Sequence, residues 1–295
     1  MKTSLIPALV FIFSACAGTR REIRLTSEPS IERAMDKLAS VPEGKKLLEF
    51  LYKNPIRFEY SNTPGLCYKF SLKAGTIFLP TDLRDSETLF ALTIGRAAYI
   101  YRFYAETGIE EILAEEEEAA ALFQARAAIE MNVQAPDFRS KKLGSAIKAN
   151  LCTYLFIGAR EAMQKTRSWA LSYPDADCQR PLETLENQHI WLEGIRQSVS
   201  NATFFQMLYD RDQRKVRGGL LTQVQAMSND AKIRAIPLSE IYRFQQTFYS
   251  AQSGILSNFE KAYRQALKYD EAWNADNAGL VQQSRETTSV CKLPE

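Results

Sequence analysis

One histidine, five cysteines and a run of four glutamates are the residues of this chain whose types could do chemistry. His189 lies with Leu182, Leu185 and Leu192 at helical spacing, which predicts a packing residue. Glu186-x-x-His189 is half of the carboxylate-bridged metal motif of four-helix bundles. That motif needs a second copy and further glutamates, so one histidine per chain cannot complete it. The same count excludes a site with two or three histidine ligands or several histidine acid-base groups. No Cys-x-x-Cys is present, which argues against a zinc ribbon or a thioredoxin-type site. Neither a Gly-x-Ser-x-Gly elbow nor a GxxxxGK[ST] phosphate loop occurs. A Ser–Lys or carboxylate-pair hydrolase remains open, because those residues are common and their geometry is not written in the sequence.

The 295 residues are 45% hydrophobic and 24% charged, a balance that builds a buried core and excludes disorder for the bulk of the chain. Thirty-seven basic residues against 35 acidic ones give a net charge of +2, so no broad basic field exists for nucleic acid. The basic cluster 211–217 (RDQRKVR) contains Asp212 and is expected to be a solvated face.

Residues 1–15 combine Lys2, an apolar run from Leu5 to Phe13, and small residues Ser14 and Ala15. These are the parts of a secretory signal peptide, and the run is too short for a membrane span of about 20 residues. The end, Phe13-Ser14-Ala15-Cys16, resembles the lipobox of bacterial lipoproteins, with Phe where that family usually has Leu. The resemblance implies cleavage before Cys16 and acylation of its sulfur and amine with chains such as palmitate, which anchors the protein stably. Ala17, where the family places Asp for inner-membrane retention, implies an outer-membrane protein facing the periplasm. In such an oxidising compartment Cys67, Cys152, Cys178 and Cys291 could form two disulfides in any of three pairings, or remain buried thiols.

Residues 16–30 read as a polar tether. A domain over 31–138 follows, then a helical region over 139–270 and a tail over 271–295 that loses periodicity and is expected to be poorly ordered. Short helices are predicted near 31–38 and 45–52. Three strands at 56–60, 66–72 and 76–79 are separated by Pro64-Gly65 and Ala74-Gly75 and read as a small antiparallel sheet. Asp85 or Ser86 caps a long helix that Gly108 ends. A second, alanine-rich helix runs from about 110 to 132. Further helices are expected at 144–169, 181–200, 202–211, 219–227 and 238–269, the last broken near Gly254. The fold class is therefore α+β, predominantly α-helical.

The segment TIFLPTDLRDSETLFALTIGRAAYIYRFY, followed by EEEEAAALFQARAAIEM, resembles zinc metallopeptidases of the HExxH zincin type, the gluzincins among them. In that family an edge strand precedes the active-site helix and holds the peptide substrate. Two histidines at i and i+4 hold zinc, the intervening Glu activates the bound water, and a second helix supplies a Glu ligand. The following Ala98-Tyr99 aligns the motif on Thr93, Ile94 and Ala97, which cannot do that work: Thr is a poor ligand, Ile has no proton to exchange, and Ala contributes nothing. Glu118 best matches the third ligand, with Glu115 second. Glu118 shares a stripe with Leu122, Ala125 and Ile129 and is expected to point inward, with Arg96 as its candidate partner. The other three glutamates of the run are expected to face solvent.

The resemblance thus implies a degenerate metallopeptidase domain that has lost its metal and needs no cofactor. The expected function is non-catalytic: a membrane-anchored pseudopeptidase that binds a protein or peptide through the remaining cleft. The alternatives are a helical assembly lipoprotein that docks an envelope complex, and a hydrolase with a non-metal site.

Overall fold

The computed structural model describes residues 24–61, 68–71, 74–81, 86–138, 141–172, 183–198 and 200–291. The signal peptide, Cys16, Cys67 and Cys178 lie outside the described residues.

The architecture is predominantly α-helical α+β. Helices α1 (Pro29–Ala39) and α2 (Pro42–Lys53) each begin with a proline, whose missing N–H costs nothing in a first turn. Strands β1 (Arg57–Tyr60), β2 (Lys69–Ser71) and β3 (Thr76–Leu79) follow. Then come α3 (Glu87–Thr107) and α4 (Ala114–Glu130), the central pair. The remainder is helical: α5 (Lys141–Phe156), α6 (Ala159–Ser172), α7 (Leu185–Gln197), α8 (Asn201–Arg217), α9 (Gln223–Arg234), α10 (Leu238–Asp276) and α11 (Ala278–Thr287). No helix among the described residues is long and apolar enough to cross a membrane.

The sheet is mixed rather than antiparallel. Its order is β1-β3-β2, with β2 antiparallel and β1 parallel to β3. Successive strands alternate in direction, so the third matches the first, and it inserts between the other two. Phe58, Ile77 and Phe70 stand side by side across the strands and are buried, which fixes the register. The placement corrects a second expectation: Thr76–Leu79 is the central strand and offers no edge to a peptide. The outer side of β1 is partly taken as well, because Phe58 N–H donates to the Leu25 carbonyl (2.8 Å). That contact and the burial of Leu25 also fold the end of the expected tether onto the sheet.

Ser86 caps α3 through the Leu89 N–H, and Gly108 ends it at φ +76°, a conformation glycine adopts without strain. Helix α4 is buried on every side, from Ala114 to Ile129, among α2, α3, α5, α6, α10 and α11. Its alanines let those neighbours approach closely. At Gly95 of α3 a Cβ would stand 2.7 Å from Phe123 of α4, so the glycine is what permits this contact.

Two breaks within the helical half differ from expectation. The stretch near 144–169 is split by Gly158 (φ +139°) into α5 and α6. Helix α10 runs unbroken through Gly254, where a single glycine costs only about 1 kcal/mol against 39 residues of helix. The tail is ordered, contrary to expectation, because α10 continues to Asp276 and α11 follows. Trp273, Val281 and Val290 are buried, and a disulfide ties Cys291 to Cys152 on α5.

Candidate functional site

The acidic run Glu115–Glu118 opens α4, and all four side chains are buried, between 2% and 5% exposed. The expectation of three solvated glutamates is therefore wrong. Four buried carboxyls in one helical turn need four separate accommodations. Consecutive residues rotate by about 100°, so each carboxyl meets a different element.

Glu117 faces α3. Its Oε2 accepts from Arg96 Nη2 (2.6 Å) and Nε (3.0 Å), and Tyr68, just before β2, donates its hydroxyl to Oε1 (3.1 Å). Arg96 Nη1 also donates to Gln124 (3.3 Å), and Gln124 donates back to the Leu92 carbonyl (3.2 Å). Burial works against the Arg96 charge, but Glu117 outweighs it and holds the guanidinium more firmly protonated than usual. Burial and then the Glu117 charge push the Tyr68 hydroxyl up.

Glu118 faces the other way. It accepts from Arg167 of α6 (2.5 and 3.2 Å) and from the Tyr263 hydroxyl of α10. Arg96 is therefore the partner of Glu117 and not of Glu118. Glu115 shares Arg167 (2.9 Å) and accepts from the Leu185 N–H (2.9 Å), capping the start of α7. Glu116 is the third residue of α4, and the Leu113 backbone at the N-cap favours its ionised form, though less than burial opposes it. It has no cation. Burial first, then the charge of Glu117, holds it well above the usual carboxylate range.

Thr93, Ile94 and Ala97 are buried on α3, and Thr93 donates to the Leu89 carbonyl of its own helix (2.8 Å). The hydrogen bonds of the Glu118 carboxylate go instead to α6 and α10. The α3 side chain presented to the α4 acid is Arg96, one residue before the aligned Ala97. Among the described residues no group of three or more His, Cys, Asp or Glu is placed to hold a metal. His189 is exposed and is not a packing residue; the buried stripe of α7 is Gln188, Leu192 and Ile195.

No family model, curated protein or solved structure matches this chain. Its chemistry must therefore be read from its own residues.

A second buried array lies at the far end of α4. Arg126, 1% exposed, pairs with Glu43 of α2 (2.9 Å) and with Asp270 of α10. Tyr154 of α5 donates to the same Asp270 (3.0 Å). Neither array was visible as a motif. The available signal was a lone charge in an apolar helix: Arg96 within α3, and Arg126 among alanines. Such a residue either breaks the core or has a buried partner. Together the arrays tie α4 to five other helices and to Tyr68. Chemically they hold charge in place, since nearly every carboxylate is committed to a cation or an N–H.

Proposed function

We propose that this chain is a non-catalytic envelope lipoprotein with a metal-free, zincin-like core that binds an extended peptide or protein segment. The Arg96–Glu117 pair carries the reading. It places a guanidinium 2.6 Å from the carboxylate next to the aligned ligand position, and Glu118 at that position is itself paired with Arg167, so both acids are already balanced by cations of the chain. β2 is an outer strand of the described sheet, and the Tyr68 just before it touches Glu117, so a strand added beside β2 would run past this pair. The disulfide Cys152–Cys291 supports an oxidising compartment, in keeping with a lipid anchor at Cys16 and a periplasm-facing, outer-membrane location.

The test is a peptide-library selection on the purified protein, repeated with chelator and with added zinc. Peptide affinity indifferent to both is the expected result. Stoichiometric zinc, or proteolysis that a chelator stops, would sink the proposal.

A second reading, docking to an envelope complex through the helical half, has its own observation. Ile190, Val224, Met227, Leu238 and Tyr242 on α7, α9 and α10 are each more than 60% exposed. Loss of partner capture by Val224→Asp and Met227→Asp, with peptide binding intact, would favour that reading.

A further inference from the structure

We infer that the cleft between the α3–α4 turn and helices α8, α9 and α10 is a binding site for an oxyanion carried on an apolar body. The cleft encloses about 360 Å³ and is separate from the Arg96–Glu117 pair, so the inference does not depend on the function proposed above.

Two cations of α8 line the cleft while shielded from solvent: Lys215, with a side chain 7% exposed, and Arg211, 11% exposed. Between them stands one buried carboxylate, Glu111, whose Oε1 accepts from Arg211 Nη2 (2.5 Å) and Nε (2.6 Å) and lies 3.2 Å from Lys215 Nζ. Burial works to raise the Glu111 pKa, but the two cations outweigh it and hold it below the usual range. Two buried positive charges on one buried negative charge leave an excess of one. The remaining acid of the cleft wall on α8, Asp212, accepts from the Asn229 amide (2.8 Å) and makes no ion pair among the described residues.

The chain supplies the missing negative charge from outside. Glu110 reaches Lys215 Nζ at 3.0 Å, but its own side chain is 67% exposed. An ion pair with one partner in solvent is weak and easily exchanged. Lys215 also has three N–H donors and, among the described residues, two carboxylate partners. Glu110 therefore stands where the anionic group of a ligand would stand, and a ligand carboxylate or phosphoryl group can take over that contact. Lys232, exposed at the cleft mouth and without an ion pair among the described residues, favours an incoming anion further. Arg211 cannot turn away from its post, because its guanidinium stacks on Trp191 (4.8 Å to the ring centre) and donates to Gln252 (3.1 Å). Leu208, Phe248 and Ile255 line the rest of the space, which is far larger than a bare anion and suits an apolar body.

The experiment is calorimetric titration of the whole protein with sodium benzoate and, separately, with inorganic phosphate, at fixed ionic strength. Glu110→Gln removes the competing carboxylate and should tighten binding about threefold. Lys215→Met should weaken it at least about tenfold; Glu111 keeps Arg211, so this variant is expected to fold, and circular dichroism checks that. Benzoate binding ahead of phosphate assigns a carboxylate ligand, and the reverse order assigns a phosphoryl one. The inference is overturned if neither probe saturates the wild type or the Glu110→Gln protein, or if all three proteins bind alike.

Discussion

Arg126 on α4 and Asp270 on α10, 144 residues apart in sequence, form an ion pair with side chains only 1% and 3% exposed. Removing one member strands the other in the core. Arg126→Leu leaves Asp270 without its cation and Glu43 with only the exposed Lys46 at 3.6 Å, and is expected to destabilise the fold by about 3–5 kcal/mol. Urea denaturation measures this. Arg126→Leu combined with Glu43→Gln and Asp270→Asn should recover a large part of the loss, since the triple variant buries no unpaired charge. A single variant that unfolds at the wild-type urea concentration would mean that the array contributes nothing.

The contact of Gly95 with Phe123 makes a steric prediction. A methyl group at position 95 would stand 2.7 Å from Phe123 Cε1 and 3.3 Å from Leu38 Cδ1. Gly95→Ala should therefore cost about 1–3 kcal/mol from overpacking, less up to about 1 kcal/mol regained in helix propensity. Phe123→Leu on top of it should restore part of the stability. A double-mutant cycle by thermal denaturation reads the coupling, and an additive result would show that α3 and α4 can separate freely at this point.

Local features of the chain were legible before its partners were. Ser86 and Gly108 mark the ends of α3 because capping and left-handed backbone are decided by neighbours in sequence. The three strands could be located for the same reason, but their order could not, because pairing β1 with β3 depends on how the chain returns. The acidic run was read wrongly in a physically instructive way. Periodicity points one glutamate inward, whereas Arg96, Arg167, Tyr68 and Tyr263 come from four separate places to make the rest of the turn habitable. The tail misled because Asp270 and Trp273 pack from an uneven pattern, and no periodicity announces a disulfide.

Attachment to the membrane through Cys16 has a direct test. Cys16→Ala should move the protein from the membrane fraction to the soluble fraction of a cell expressing it, and it should abolish labelling with radioactive palmitate. Unchanged membrane association in that variant would refute the proposed anchor.

The Cys152–Cys291 bond joins residues 139 apart and fastens the segment after α11 to α5. Cys152→Ser with Cys291→Ser is expected to lower stability by about 2–5 kcal/mol. The effect should be concentrated at the C-terminal end, where Val281 and Val290 lose their hold on the core. Limited proteolysis should then cut within 278–291 first. Equal protease resistance with and without the bond would show that packing alone secures α11.

Glu116 gives the pH prediction, and its sign follows from linkage. In the unfolded chain a glutamate titrates near about pH 4.3. In the folded protein burial, helped by the charge of Glu117, keeps this carboxyl protonated to much higher pH. Between those two values the native state binds more protons than the unfolded one, so this group lowers stability as pH rises, by up to about 1.4 kcal/mol per pH unit. Glu116→Gln keeps the size and shape of the side chain and removes the titration. The variant should match the wild type at pH 4 and become the more stable of the two by pH 7, with the gap opening across that interval. Urea denaturation at pH 4, 5.5 and 7 measures the difference, in which the other carboxylates cancel. A gap that stays constant with pH would place an ionised Glu116 in the folded protein, and the carboxyl would then have to be reaching solvent or a cation.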